Sequence, residues 1–88
     1  MTLNELKKKI YDNNVPERWY SIDDGLKYNA LVLYKNYFGW EFFFLDERGE
    51  KNDYRIFKNE EDAYDFLWKK LEFELGVFKI KPRDGNNG

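Results

Sequence analysis

The sequence predicts an α+β fold: an N-terminal helix, a four-stranded antiparallel meander, and a C-terminal helix packed on the sheet. Three observations carry this prediction. Apolar residues recur at helical spacing near both ends of the chain, and they alternate with a period of two in the middle. Isolated glycines separate the alternating stretches, as is typical of short turns. No repeat or linker divides the 88 residues, and a chain of this length forms one small core.

The N-terminal helix is predicted from the stretch "TLNELKKKI". Thr2 and Glu5 have the spacing of a capping box, in which each side chain bonds the backbone amide of the other residue. The apolar residues that follow recur every three or four positions and therefore share one face. "DNN" at 12–14 and Pro16 end the helix, because asparagine favours turns and the residue before a proline avoids the helical region.

The strands are predicted from four alternating stretches: "RWYSI", "ALVLYKNYF", "WEFFFLD" and "NDYRIF". The turn "DDG", Asp23 to Gly25, follows the first stretch, and Gly39 separates the second from the third. "DERG" at 46–49 predicts a tight turn in which Gly49 takes a positive φ. The four strands are expected to form an antiparallel meander, and whether their order in the sheet follows chain order stays open.

The C-terminal helix is predicted from "EEDAYDFLWKKLEFEL", with Asn59 as its N-cap and acidic residues in its first turn, where the helix dipole favours them. Gly76 is expected to end it. "VFKIK" is then expected to add a short extended segment against the fold. The predicted domain covers residues 1–81, and residues 82–88 are expected to form a disordered tail.

Both faces of the predicted sheet carry large apolar side chains. In the third strand one face collects Trp40, Phe42 and Phe44, and the other collects Glu41, Phe43 and Leu45. An antiparallel sheet with one face in water should be apolar on one side only. If both helices lie on one face, the other face is left with large side chains and only partial cover. That second face is then covered by the tail or by a partner, unless the N-terminal helix packs on it instead. The sequence leaves these alternatives open.

Composition argues against a catalytic site. The chain contains no cysteine and no histidine, which removes disulfides, thiolate metal ligands and the commonest general base. The one serine, Ser21, lies in a predicted strand, and the adjacent Asp23 and Asp24 are turn residues with no means of separating their pKa values. We therefore expect no enzymatic activity, no cofactor and no bound metal.

The net charge and the hydropathy limit the classes of partner that the protein can bind. The net charge is −2, and the aromatic residues lie among aspartates and glutamates, a setting that repels phosphate. No apolar run is long enough to span a membrane, and the stretch "MTLNELKKKI" is expected to start a helix and not to be a signal peptide, because no apolar stretch follows its lysines. We therefore expect a cytoplasmic protein that binds neither nucleic acid nor membrane.

Aromatic residues make up 20% of the chain, more than a small core needs, so some are expected to form a contact surface. Binding surfaces favour tryptophan, tyrosine and arginine, and an acidic rim accelerates encounter with a basic partner. Whether Trp19 and Trp40 belong to the core or to the surface stays open. The predicted contact region comprises ten residues: Arg18, Trp19, Asp23, Asp24, Trp40, Glu41, Asp46, Glu47, Arg48 and Tyr54.

The stretches "PERWYSIDDGLKYNALVL", "WEFFFLDERGEKND" and the helical "EEDAYDFLWKKL" resemble small immunity proteins of bacterial polymorphic toxin systems. The resemblance covers roughly residues 3–72 and rests on the order of elements and on the "WYS…G" and "DERG" stretches. It implies a compact α+β protein without catalytic activity that binds and occludes a toxin domain, nucleases being one common class of such toxins. An alternative remains open: a structural or regulatory subunit that forms a homodimer through its aromatic sheet face.

Overall fold

The computed structural model describes residues 1–83 and confirms the α+β class. Residues 84–88 of the expected tail lie outside the described residues. Thr2 and Glu5 form the predicted capping box, and the Asn59 side chain caps the second long helix. The elements in chain order are α1 (Leu3–Asp12), a 3-10 turn (Glu17–Trp19), β1 (Tyr20–Ile22), β2 (Ala30–Asn36), β3 (Gly39–Leu45), β4 (Lys51–Phe57) and α2 (Glu60–Val77).

The sheet is mixed, and the prediction of a purely antiparallel meander is wrong for its first strand. The strand order is β1-β2-β3-β4, with antiparallel pairing from β2 to β4, but β1 runs parallel to β2. A parallel neighbour usually needs a connection of a dozen or more residues. Here β1 is three residues and about 10 Å long, so the loop of residues 23–29 is sufficient to return the chain. The Ser21 hydroxyl holds this loop by donating to the Gly25 carbonyl at 2.7 Å.

The predicted first strand begins later than expected. Arg18 and Trp19 belong to the 3-10 turn, in which the Trp19 amide donates to the Pro16 carbonyl at 3.0 Å. The fixed φ of Pro16, −61°, leads the chain into this turn before β1 starts at Tyr20. The turn directs Trp19 toward the core beneath the helices instead of placing it on a strand.

Both helices pack on the same face of the sheet. Leu6 and Ile10 of α1 join Leu67 and Leu71 of α2 in one buried cluster that also contains Phe42 of β3. The packing of α2 on the sheet was predicted, and the position of α1 settles one of the open alternatives. Because α1 shares the covered face, it does not cover the other one.

The sheet face turned away from the helices is called the open face here, and it comprises Val32, Tyr34, Glu41, Phe43, Leu45, Tyr54 and Ile56. Val32, Phe43 and Leu45 form a small buried cluster on it, with Tyr34 packed against them. Neighbouring side chains bury Phe43: the Tyr54 ring stacks on it at 6.2 Å, and the Lys51 ammonium lies 4.7 Å from its centroid. No helix among residues 1–83 covers the open face.

Strand β4 is an edge of the sheet and contains an irregularity at Asp53. This residue has φ +55°, and the pairing of β4 with β3 shifts register beside it. The Asp53 carboxylate pairs with Lys70 of α2 at 2.6 Å and with Arg55 at 3.3 Å. The irregular residue therefore also connects the edge strand to the helix.

The chain after α2 folds back toward α1. The helix does not end at Gly76 as expected but continues to Val77, and Lys79 takes the left-handed conformation at φ +55°. The Arg83 amide then donates to the Asp12 carbonyl at 2.6 Å, and the Arg83 guanidinium lies 4.0 Å from the centroid of Tyr11. These contacts attach the described C-terminal segment to the end of α1.

Candidate partner-binding surfaces

The structure separates the ten predicted contact residues into four places. Trp40 is the one that lies in the core: its exposed fraction is 6%, and its ring packs edge-on against Tyr64 of α2 at 5.5 Å. A side chain this buried offers almost no surface to a partner, so the role of Trp40 is in packing. The other nine residues lie at both ends of the sheet and on the open face.

Arg18 and Trp19 line a large cleft between the C-terminal half of α2 and the end of the sheet where β2 begins. This space, called the aromatic cleft, has a volume of about 980 Å³. Its lining includes five aromatic residues, each from a different segment of the chain, so the cleft is formed only by tertiary folding. The residues around it are Arg18, Trp19, Tyr28, Asn29, Leu31, Phe44, Asp53, Lys70, Phe73, Glu74, Phe78 and Ile80.

The rim of the aromatic cleft exposes large rings. Phe73 has an exposed fraction of 69%, and Tyr28 and Phe78 are exposed to a similar extent. Phe78 supports Trp19, with ring centroids 5.5 Å apart. Burying several such rings against a partner would release water from a large apolar area, which is the main source of affinity in protein interfaces.

Charges of both signs surround these rings. The Lys70 ammonium bonds Asp53 and thereby holds the pKa of this carboxyl below its usual range. Within residues 1–83, Arg18 and Glu74 form no ion pair, and both remain available to a partner. The cleft is thus apolar at its centre and balanced in charge at its margin, which is the usual composition of a protein interface.

The β3–β4 turn lies at the same end of the sheet as the aromatic cleft, and the Tyr28 ring reaches Gly49 of this turn. Asp46 is structural: its carboxylate accepts from the amides of Glu50 and Arg48, each at 2.9 Å. These backbone bonds, that of Glu50 foremost, lower the pKa of Asp46. Glu47 and Arg48 are exposed at the tip and extend the surface beside the cleft.

Asp23 and Asp24 do not join that surface. They follow the C-terminal end of β1, and the Asp23 carboxylate accepts from the Lys35 amide at 3.4 Å. Lys35 lies near the far end of β2, so these aspartates sit toward the opposite end of the sheet from the cleft. The sequence placed them beside Trp19, but the short parallel strand separates the two.

Glu41 and Tyr54 lie together on the open face. The Tyr54 hydroxyl and the Asn36 amide each donate to the Glu41 carboxylate, and Tyr34 is the cross-strand partner of Glu41 on β2. The bond from Tyr54 is the largest cause of the lowered pKa of Glu41. The same bond raises the pKa of Tyr54 to about 12, because ionised Tyr54 would place a second negative charge beside the carboxylate.

Alkaline titration should single out Tyr54. Its pKa is expected near 12 instead of the ordinary 10, so this bond stabilises the folded state below pH 10 and is lost as the pH rises toward 12. Carbon-13 NMR of the tyrosine Cζ atoms measures each pKa separately. Glu41→Gln should return the pKa of Tyr54 toward 10, whereas Glu47→Gln in the exposed turn should leave it raised. A Tyr54 that titrates near the ordinary value of 10 would contradict the bond.

Several exposed aromatic residues were not among those predicted. Tyr37, with an exposed fraction of 93%, and Phe38, with 71%, form the two-residue turn between β2 and β3 and stack on each other at 4.8 Å. The position of these two aromatic residues directly before Gly39 could have indicated that they are exposed, because a two-residue turn projects its side chains away from the sheet. Phe73 carries a similar signal, since it lies between Glu72 and Glu74 and off the apolar stripe of α2. Tyr28 and Phe78 lie in loop and tail segments that carry no such signal.

Two absences complete the description. Residues 1–83 contain no group of three or more acidic side chains placed to hold a metal ion. Neither helix in that range is long and apolar enough to cross a membrane. Comparison of the chain with models of known protein families, with curated proteins and with solved structures gave no match.

Proposed function

We propose that this protein is an immunity protein that binds a cognate secreted bacterial toxin domain through the aromatic cleft and occludes it. One observation carries the proposal: Tyr28, Phe73 and Phe78 expose their rings around a single cleft. Several large exposed rings around one cleft are typical of a binding site. The resemblance of residues 3–72 to immunity proteins supplies the class of partner.

In the proposed mechanism the protein acts by stoichiometric occlusion, without catalysis. The partner inserts apolar side chains between Trp19 and Phe73, and the charged margin excludes water from the contact. Glu47 and Arg48 of the neighbouring turn add polar contacts at the rim. Rim charges mainly govern the rate of encounter, so the rings are expected to supply most of the affinity.

The decisive test of the function is neutralisation. Tagged protein is used to capture partners from the bacterium that encodes it, and the bound domain of each partner is then expressed alone in a bacterial host. A cognate toxin domain should arrest growth, and co-expression of this protein should restore it. A captured domain that is harmless, or that remains toxic in the presence of this protein, would count against the proposal.

The aromatic cleft can be tested with a pair of matched variants. Phe73→Ser should weaken binding of the toxin domain by at least about 30-fold, as expected for an interface hot spot. Phe38→Ser changes an equally exposed ring at the opposite end of the sheet, and should alter the Kd by less than about twofold. Isothermal titration calorimetry gives both values. If Phe38→Ser weakened binding and Phe73→Ser did not, the toxin domain would contact the β2–β3 turn instead of the aromatic cleft. The proposed function itself would be unaffected.

A second candidate function is a structural or regulatory subunit that self-associates through the open face. The observation in its favour is the exposed Ile56 beside the Val32–Phe43–Leu45 cluster. Sedimentation at micromolar concentration distinguishes the two candidates. A stable homodimer that is lost on Ile56→Asp would support self-association, and a monomer would exclude it at that concentration.

A further inference from the structure

We propose that the open face contains a second recognition site, centred on Glu41, which accepts one arginine side chain from an extended segment of a partner protein. The site differs in place and in chemistry from the aromatic cleft. It does not depend on the partner being a toxin.

The position of Glu41 is set by three strands. In the register of the sheet Glu41 pairs with Tyr34 of β2 on one side and with Ile56 of β4 on the other. The carboxylate is half-buried at the centre of this row, and Tyr54 of the neighbouring row bonds it. The site is therefore a negative charge surrounded by aromatic and aliphatic surface.

The carboxylate is already oriented by neutral donors, a phenol and an amide. In the described part of the chain no lysine or arginine forms an ion pair with it. The charge of Lys51 helps to lower the pKa of Glu41, but the Lys51 ammonium lies over the Phe43 ring, 4.7 Å from its centroid. A half-buried carboxylate with neutral partners attracts a cation more strongly than an exposed one, because water screens it less.

The surroundings of Glu41 fit arginine in particular. A guanidinium can bond the carboxylate while its flat surface lies on the Tyr34 or Tyr54 ring, and its aliphatic stem can cover Ile56. Asn36 connects Glu41 to the β2–β3 turn, because it donates to the carboxylate and accepts from the backbone amides of Phe38 and Gly39. The rings of Tyr37 and Phe38 in that turn are exposed. An extended segment with apolar residues beside its arginine is the occupant that complements this surface.

The inference can be tested with a defined peptide. Acetyl-Gly-Val-Arg-Val-Gly-amide is titrated to millimolar concentration, at low ionic strength, into isotope-labelled protein, and NMR shifts are followed. Saturable shifts are expected at the Asn36 side-chain amide and the Ile56 methyl groups. The same peptide with citrulline, a neutral isostere of arginine, should bind at least about fivefold more weakly.

Two variants control the assignment. Glu41→Gln keeps the shape of the side chain and should weaken binding of the arginine peptide about fivefold, whereas Glu61→Gln removes an exposed acid from the first turn of α2 and should leave binding unchanged. Equal binding of the two peptides, shifts centred on Asp23 and Asp24, or no shift at all would overturn the proposal. Shifts at Ile56 that grow with protein concentration alone would also overturn it, since a second copy would then occupy the face.

Discussion

Trp40→Ala should reduce the free energy of unfolding by about 3–5 kcal/mol, the usual cost of truncating a fully packed tryptophan. The side chain lies between β3 and α2 against Tyr64 in the main buried cluster, so its truncation would leave a cavity there. A chain of this length is stabilised by roughly 4–13 kcal/mol in total, so the variant should be close to unfolding at ambient temperature. Urea denaturation followed by circular dichroism measures the loss.

Phe38→Ala is the control for this result. It removes an aromatic ring that is mostly exposed in the β2–β3 turn, and its effect should stay within about 0.5 kcal/mol. If Trp40→Ala were as stable as the wild-type protein but lost affinity for the partner, Trp40 would be a contact residue and its position in the core would be wrong.

Gly39→Ala should destabilise the protein by about 3 kcal/mol although it adds one methyl group. Gly39 has φ +150°, a conformation that residues with a side chain rarely adopt. A Cβ atom there would collide with the Phe57 carbonyl oxygen and lie 3.2 Å from Lys58 Cα. These are backbone atoms of the adjoining chain and cannot rotate away, so β3 and β4 would have to separate at this end.

Gly25→Ala separates the cost of backbone strain from the cost of the steric collision at Gly39. Gly25 also has a positive φ, +87°, but nothing lies within 4 Å of the position that its Cβ would take. Its substitution should therefore cost only about 1 kcal/mol, from backbone strain alone. Thermal unfolding of the two variants gives the comparison, and equal losses at Gly39 and Gly25 would show that the close approach of β4 has no energetic consequence.

Both helices could be predicted because their signals are local. The capping box of Thr2 and Glu5 and the Asn59 cap each involve residues within one turn, and the structure confirms them. The end of α2 was predicted less well, because Gly76 remains helical and Lys79 takes the left-handed conformation. The choice between these two ends depends on the return of the chain to Asp12, which is a tertiary contact.

The direction of β1 could not be predicted from its residues. A turn such as "DDG" between two apolar stretches is typical of a hairpin, and the sequence does not show that β1 is only three residues long. In the observed parallel pairing Tyr20 and Ile22 face the same core as Leu31 and Leu33, and the loop after Asp23 folds back over Ser21. The contacts with β2 and the core lie outside the local pattern of β1, so its periodicity carries no information on its direction.

The surface was harder to predict than the fold. Alternation placed Trp40 and Glu41 on opposite faces, which the structure confirms, but it could not say which face the helices would take. The two helices covered the face of Trp40 and left that of Glu41 open. The aromatic cleft depends on Tyr28 and Phe78, which lie 50 positions apart, so only the folded chain brings them together.

The irregularity at Asp53 has a consequence for the protein at high concentration. Strand β4 is a seven-residue edge, and a regular edge of that length would offer unpaired amides and carbonyls to a strand of another molecule. The left-handed Asp53 breaks the row of backbone donors, and its ion pair with Lys70 would have to open before the strand could flatten. Growth of an intermolecular sheet along this edge is therefore disfavoured. The chain can present aromatic side chains to a partner without offering its backbone to fibril formation.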